Sequence, residues 1–519
     1  MGMVCPQGDA GAYFLGRDVF SAPWDESLME NEMKNRLFYR PVLVIVIALT
    51  CCVLVSVLLV ATRSVGAIVE QESPPSVSSV HGNLLPRSTA AYNGVMTPST
   101  VIYAPWLLGR TSVVRVYNAG EGQATVKATF AYDGGVTTTQ KLLAAGAAID
   151  IEPPGGVLTG TQLSAILTGT EPIVAVVNDF GLDRKQATSY AAMPASLGQN
   201  VVMVPDVFST SGGGWDSQVL VQNVGQMPTG VTIVYTRTDE FASRNWTDSF
   251  SGLAPGAVHL FDPSDTGLED FVGIAAVRAD QPLVAIVRNA ATEITDPVPR
   301  QAYIYRVPLA SFGGGSNRPL YFPLLVNEFG DWKKSEIQFM NAAPVGVSFN
   351  LEIVGEAALA MSVNPWWAVS ERQDDDGRDP DWVEAGRVTN AQSLQSLVWL
   401  EGDFEGDSFA AYTSPSVGAR TWYLPYADQR DDFVTYVAVQ NLGDVPVHIS
   451  RTYYDLTSTL PPIMGDTIAG RDMALYAAGP GFVGGLMVQA DRPVVAVAVI
   501  AGRMVLDKDV FLPVVFRNN

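Results

Sequence analysis

Two patterns of apolar residues divide this chain. Over residues 41–61 the sequence PVLVIVIALTCCVLVSVLLVA passes without a charge, whereas from Val101 onward apolar residues come in short runs with period-two alternation, broken by Gly, Pro, Asn and Asp. At roughly 1.5 Å rise per residue, about twenty apolar residues span a hydrocarbon core of ~30 Å, so the first pattern predicts a membrane helix over 41–62. The second predicts strands, and no helical period interrupts it, so the region after the helix is expected to be all-β. Lys34, Arg36 and Arg40 precede the helix and only Arg63 follows closely. That asymmetry predicts a cytoplasmic arm over 1–40 and an extracytoplasmic bulk, with membrane lipid as the helix's partner. The arm holds six acids and four bases, unlike the short basic start of a cleaved leader, so an uncleaved signal-anchor is expected.

Residues 63–100 are rich in Ser, Pro and Gly and are expected to form a stalk without a core of its own. Beyond it the chain repeats. An apolar strand ending in Pro recurs at Pro105, Pro205, Pro323, Pro425 and Pro513, with spacings of 100, 118, 102 and 88 residues. These strands bracket four modules, 101–200, 201–318, 319–420 and 421–519. If each boundary strand closes one module and starts the next, the array is a stiff rod.

A second signature lies inside each module: VVRVYNAG at Asn118, VLVQNVG at Asn223, IQFMNAA at Asn341 and VAVQNLG at Asn441. Asn followed two positions on by Gly predicts a tight turn in which the Asn takes a positive φ. A third signature pairs a Pro-containing turn with a wholly apolar strand, as in RPVVAVAVI, which predicts a strand buried on both faces. The second module offers about seven such strands in roughly 100 residues, the pattern of an immunoglobulin-like β-sandwich. The stretch VRVYNAGEGQATVKATF and its counterparts in the second and fourth modules resemble the bacterial cell-adhesion-related domain type. The resemblance covers about twenty residues per module and implies fold and an exported setting; in the third module Ala343 replaces the Gly.

Composition narrows the function classes. The formal charge is −21, of which the part after Arg63 carries −21 + 2 − 1 = −20, a balance that disfavours nucleic acid as a partner. The three cysteines, Cys5, Cys51 and Cys52, all lie at or before the helix, so no disulfide is expected in the exported part. His259 and His448 fall in different modules on strand-like stretches. No nucleophile elbow, zinc-helix motif or phosphate loop occurs, and no enzyme activity is expected.

One stretch invites a site. From the turn Asn to the closing Pro the modules measure 54, 59 and 52 residues, but 74 from Asn341 to Pro415, which predicts an inserted loop in NPWWAVSERQDDDGRDPDWVEAG. Asp374, Asp376, Asp379 and Asp381 there could supply oxygen ligands to calcium, although the register of an EF-hand is absent. Trp366, Trp367 and Trp382 could form a platform for a glycan or a protein partner, or simply pack on the sandwich. Asn245-Trp-Thr matches a glycosylation acceptor. The expectation is a non-enzymatic, membrane-anchored envelope protein that displays tandem β-modules as a structural, adhesive or scaffolding element, with protein partners or self-association. The alternative is an accessory subunit capping a larger membrane complex.

Overall fold

The computed structural model describes residues 89–502, apart from 110, 154–156, 158–159, 180–186, 210–213, 239–244, 292–300, 308–317, 330–331, 374–381, 392, 403–407, 430–432 and 456–462. The arm, the expected helix over 41–62, residues 63–88 of the stalk and the strand ending at Pro513 lie outside the described residues. Among those described, no helix is long and apolar enough to cross a membrane. The fold is all-β: the described residues form thirty strands and two short 3₁₀ turns, arranged in four antiparallel sheets.

Each sheet is organised around one long strand. In the second repeat this is Phe271–Ala291, 21 residues. Its first half pairs with the Pro strand Gln199–Ser209 and with Thr229–Arg237; its second half pairs with the Asn strand Trp215–Asn223 and the inner strand Gln301–Arg306. The sheet therefore folds over along the long strand, and its two layers enclose a core that includes Val204, Val221, Ile233, Phe261, Val277 and Val287. The turn expected at Pro282 is instead a bend within one continuous strand. Gln162–Asp179 and Val483–Gly502 are the equivalent long strands. In the third repeat the strand breaks into Trp382–Thr389 and Leu394–Gly402, with Asn390 and Ser393 at φ 63° and 61° across the break. Both faces of the second half are covered, one by its own core and one by a neighbouring repeat, which explains runs such as Val494 to Ile500 that are buried throughout.

The recurring prolines have a mechanical reason. In each Pro strand the register with the long strand slips beside the Pro: between Ala104 and Leu107, Val204 and Val207, Phe322 and Leu325, and Leu424 and Ala427. A residue without an N–H costs nothing where a bulge already interrupts the ladder. A hydroxyl one strand further on then satisfies the displaced backbone: Ser112, Ser217, Ser335 and Thr435 accept from the N–H of Leu108, Phe208, Val326 and Asp428 at 2.7, 2.7, 2.9 and 2.8 Å.

The array is a closed ring, not a rod. Each repeat packs against the next: Leu220 and Ile286 of the second join the core of the first, Leu397 and Ala411 of the third join that of the second, and Ala438 and Val497 of the fourth join that of the third. The circle is completed where Tyr117, Val174 and Val176 of the first repeat enter the core of the fourth. There Tyr117 meets Tyr454 at 4.9 Å between ring centroids, and the Arg115 guanidinium lies 4.6 Å over the Tyr426 ring. The seam is also closed by strand pairing. Thr89–Asn93, expected to belong to an unstructured stalk, pairs antiparallel with the last long strand from Val497 to Ala501. The final repeat thus takes its inner strand from the beginning of the chain.

Candidate functional site

The inner strands Thr89–Asn93, Thr188–Ala191, Gln301–Arg306 and Ser408–Thr413 surround the axis of the ring. Each carries a buried tyrosine, Tyr92, Tyr190, Tyr305 and Tyr412. Every one of these hydroxyls donates to the carbonyl of the residue after the bulge proline of its own repeat: Tyr190 to Trp106 at 2.6 Å, Tyr305 to Asp206 at 2.9 Å, Tyr412 to Leu324 at 2.6 Å, and Tyr92 to Tyr426. Burial raises the pKa of all four phenols, so each stays a donor. The fourfold pattern was partly visible as A-A-Y-N, T-S-Y-A, Y-I-Y-R and A-A-Y-T.

The residue after each tyrosine breaks the pattern. Asn93 donates to the Thr413 carbonyl and hydroxyl, both at 2.8 Å, and Ala191 is small, but the fourth position is Arg306. A cavity of about 180 Å³ opens here at one end of the axis, reaching from Arg306 and Asn93 outward to Arg318 and Val417. Among the described residues its walls contain no carboxylate. The Arg306 Nε is buried with no hydrogen-bond partner among the described residues, and burial lowers the pKa of the guanidinium to about 10. Gln395, 4% exposed, has neither its amide nitrogen nor its oxygen paired, and Asn93 leaves its Oδ1 unpaired. Gly94 is required beside them, since a Cβ there would come within 2.9 Å of the Trp422 ring.

The expected site lies elsewhere and changes character. Backbone bonds from Ala119, Val224 and Ala342 reach the carbonyls of Pro172, Pro282 and Ser393 at 2.9, 2.9 and 3.0 Å. Ser393, 52 residues after Asn341, therefore stands where the other repeats have Pro, and Pro415 belongs after the inner strand. The third repeat has no insertion: nine residues separate Arg372 from Trp382, as nine separate Phe261 from Phe271. Asp374, Asp376, Asp379 and Asp381 lie outside the described residues, and calcium remains a sequence expectation. Trp366 occupies the turn position held by Gly146 and Gly256, at φ 54°, and packs near Met203 and Met340. Trp367 and Trp382 pack on a different cluster, the core of the third repeat. Asn245 is exposed at a strand start and accepts from Thr236 at 3.0 Å.

The four turn asparagines act through their side chains. Asn118, Asn223, Asn341 and Asn441 are buried, and none has a positive φ. Each Nδ2 donates to the carbonyl four residues on, at 2.7, 2.8, 2.7 and 2.8 Å, and also across to Leu143, Leu253, Val363 and Ile468. Each Oδ1 accepts the N–H two residues on. That donor is backbone, which is why Ala343 serves where the other repeats have Gly.

His259 stacks on Phe250 at 4.0 Å, its pKa lowered by burial, and the His448 ring bonds Thr467 at 2.9 Å. Asp206, fully buried, accepts from Tyr303 at 2.7 Å and Asn289 at 3.0 Å, and burial lifts its pKa to about 8. No protein-family model matches the chain, and no curated protein is significantly similar to it.

Proposed function

We propose that this chain is a non-enzymatic, single-pass membrane-anchored envelope protein that displays four immunoglobulin-like β-sandwiches outside the membrane as a structural or scaffolding platform. The observation that carries this reading is the closure of the ring through Thr89–Asn93. Head-to-tail faces that would otherwise build a filament are used up within one molecule, leaving a rigid body whose rim and axial ends face partners. The uncharged stretch 41–61, with its basic residues on the N-terminal side, supports a tether. Protease added to whole cells, with a tag on each terminus, tests the arrangement. Loss of the C-terminal tag with survival of the N-terminal tag is expected; protection of both overturns it.

A second reading, an accessory subunit capping a membrane complex, draws on the repeated turns. Met227, Val345 and Val445 occupy equivalent turn tips and are 63%, 64% and 44% exposed. Apolar tips at matching positions suit a protein partner. Gentle detergent extraction separates the readings: stoichiometric membrane partners favour the subunit, a lone protein the platform.

A further inference from the structure

We propose that the axial cavity binds a small organic carboxylate, seated on the Arg306 guanidinium and the Gln395 amide. Three observations converge. The chain carries a formal charge of −21, yet among the described residues this cavity is lined by two arginines and no acid. Its polar groups are built but unpaired: both ends of the Gln395 amide and the Asn93 Oδ1 lack partners, and such groups are rare in a packed interior because each forfeits its hydrogen bond to water. The arginine stands at the one position where the fourfold pattern of inner-strand residues is broken by a charge. Stability does not account for it, since a largely buried guanidinium whose Nε is unpaired is a cost.

The geometry selects the ligand. A guanidinium offers a planar fork of donors that matches a carboxylate in two parallel bonds. The Gln395 amide can donate to a carboxylate oxygen and accept from a hydroxyl or amide on the same molecule. Val95, Leu320, Leu394 and Trp422 supply an apolar wall for a short hydrocarbon part. At about 180 Å³ the space suits a ligand of a few carbons, smaller than a typical drug-sized site. Arg318, exposed at the opening, adds a second positive charge on the way in. The site is independent of where the chain is anchored, so its failure leaves the proposed platform untouched.

Calorimetric titration of the full-length protein in detergent with butyrate, and separately with inorganic phosphate and chloride, tests it. Saturable 1:1 binding of butyrate, tighter than either inorganic ion, is expected. Arg306→Gln should weaken it about tenfold or more, as expected for a lost charged hydrogen bond. Arg318→Gln, an exposed change that leaves the fold intact, should weaken it about threefold. Gln395→Met should raise Tm without ligand and abolish the butyrate-induced rise in Tm, because it replaces unpaired polar atoms with apolar ones. No butyrate binding at millimolar concentration, equal binding of chloride, or unchanged affinity in both Arg318→Gln and Gln395→Met overturns the proposal.

Discussion

The hydroxyl of Tyr92 donates to the backbone oxygen of Tyr426, 334 residues away, and accepts from the Tyr426 N–H at 3.1 Å. The bond joins the first described strand to the bulge of the last Pro strand, so it reports directly on ring closure. Tyr92→Phe leaves two buried backbone groups of Tyr426 unpaired and should cost about 1 to 3 kcal/mol. Tyr190→Phe breaks the equivalent bond to Trp106 within the first repeat and should cost a similar amount. Denaturant unfolding of both variants checks this; an effect at Tyr190 alone would mean the seam contributes nothing.

Removal of the whole closing strand is a harsher test. A chain starting at residue 94 exposes the edge of the last long strand from Val497 to Ala501, whose side chains are otherwise buried. An uncovered apolar edge recruits other strands. Relative to a chain starting at residue 83, it should melt lower and self-associate, and a peptide spanning 86–97 added in trans should restore the monomer. Calorimetry and light scattering read both outcomes.

Asn341→Ala deletes three donated bonds and one accepted bond at a side chain with no exposure. The stranded carbonyls make a loss of about 3 kcal/mol or more the expected result. Ala343→Gly, two residues on, keeps the backbone donor and should change stability by under about 1 kcal/mol. The contrast, measured by urea titration, separates a side-chain clamp from a requirement for a flexible turn.

Burial lifts the Asp206 carboxyl from its ordinary 3.8 to about 8. A folded pKa above the unfolded one means the fold holds the proton: there is no penalty below about pH 4, and stability is lost as pH rises through the window from 4 to 8. Asp206→Asn should therefore gain stability over the parent progressively across that window, by at most about 1.4 kcal/mol per pH unit. Thermal melts of both proteins from pH 5 to 8 check the sign.

Much of the architecture was legible because it rests on local chemistry repeated four times. The Pro strands announced themselves since a bulge tolerates a residue without an N–H, and the Asn turns since a clamp needs one amide at one spacing. Other features were hidden for equally physical reasons. Thr89–Asn93 is five residues long and sits beside Ser- and Pro-rich sequence, so composition assigned it to the stalk; its partner strand ends some four hundred residues later. The third repeat looked longer because Ser393, at positive φ, does the work of a proline, which moved the apparent landmark to Pro415. The axial cavity could not be found from sequence, because Asn93, Arg306 and Gln395 come from three separate repeats and only the ring's closure assembles them.

The borrowed inner strand also sets an order on biosynthesis. Thr89–Asn93 emerges from the ribosome long before the strand it must join, Val483–Gly502, which follows some four hundred residues later. Through most of elongation this segment waits without its mate, and a chain halted early has no keystone to set. Synthesis through Gly502 is thus read out by the architecture itself: a product terminated before that strand remains an open arc, recognisable to any quality-control factor that binds exposed strands.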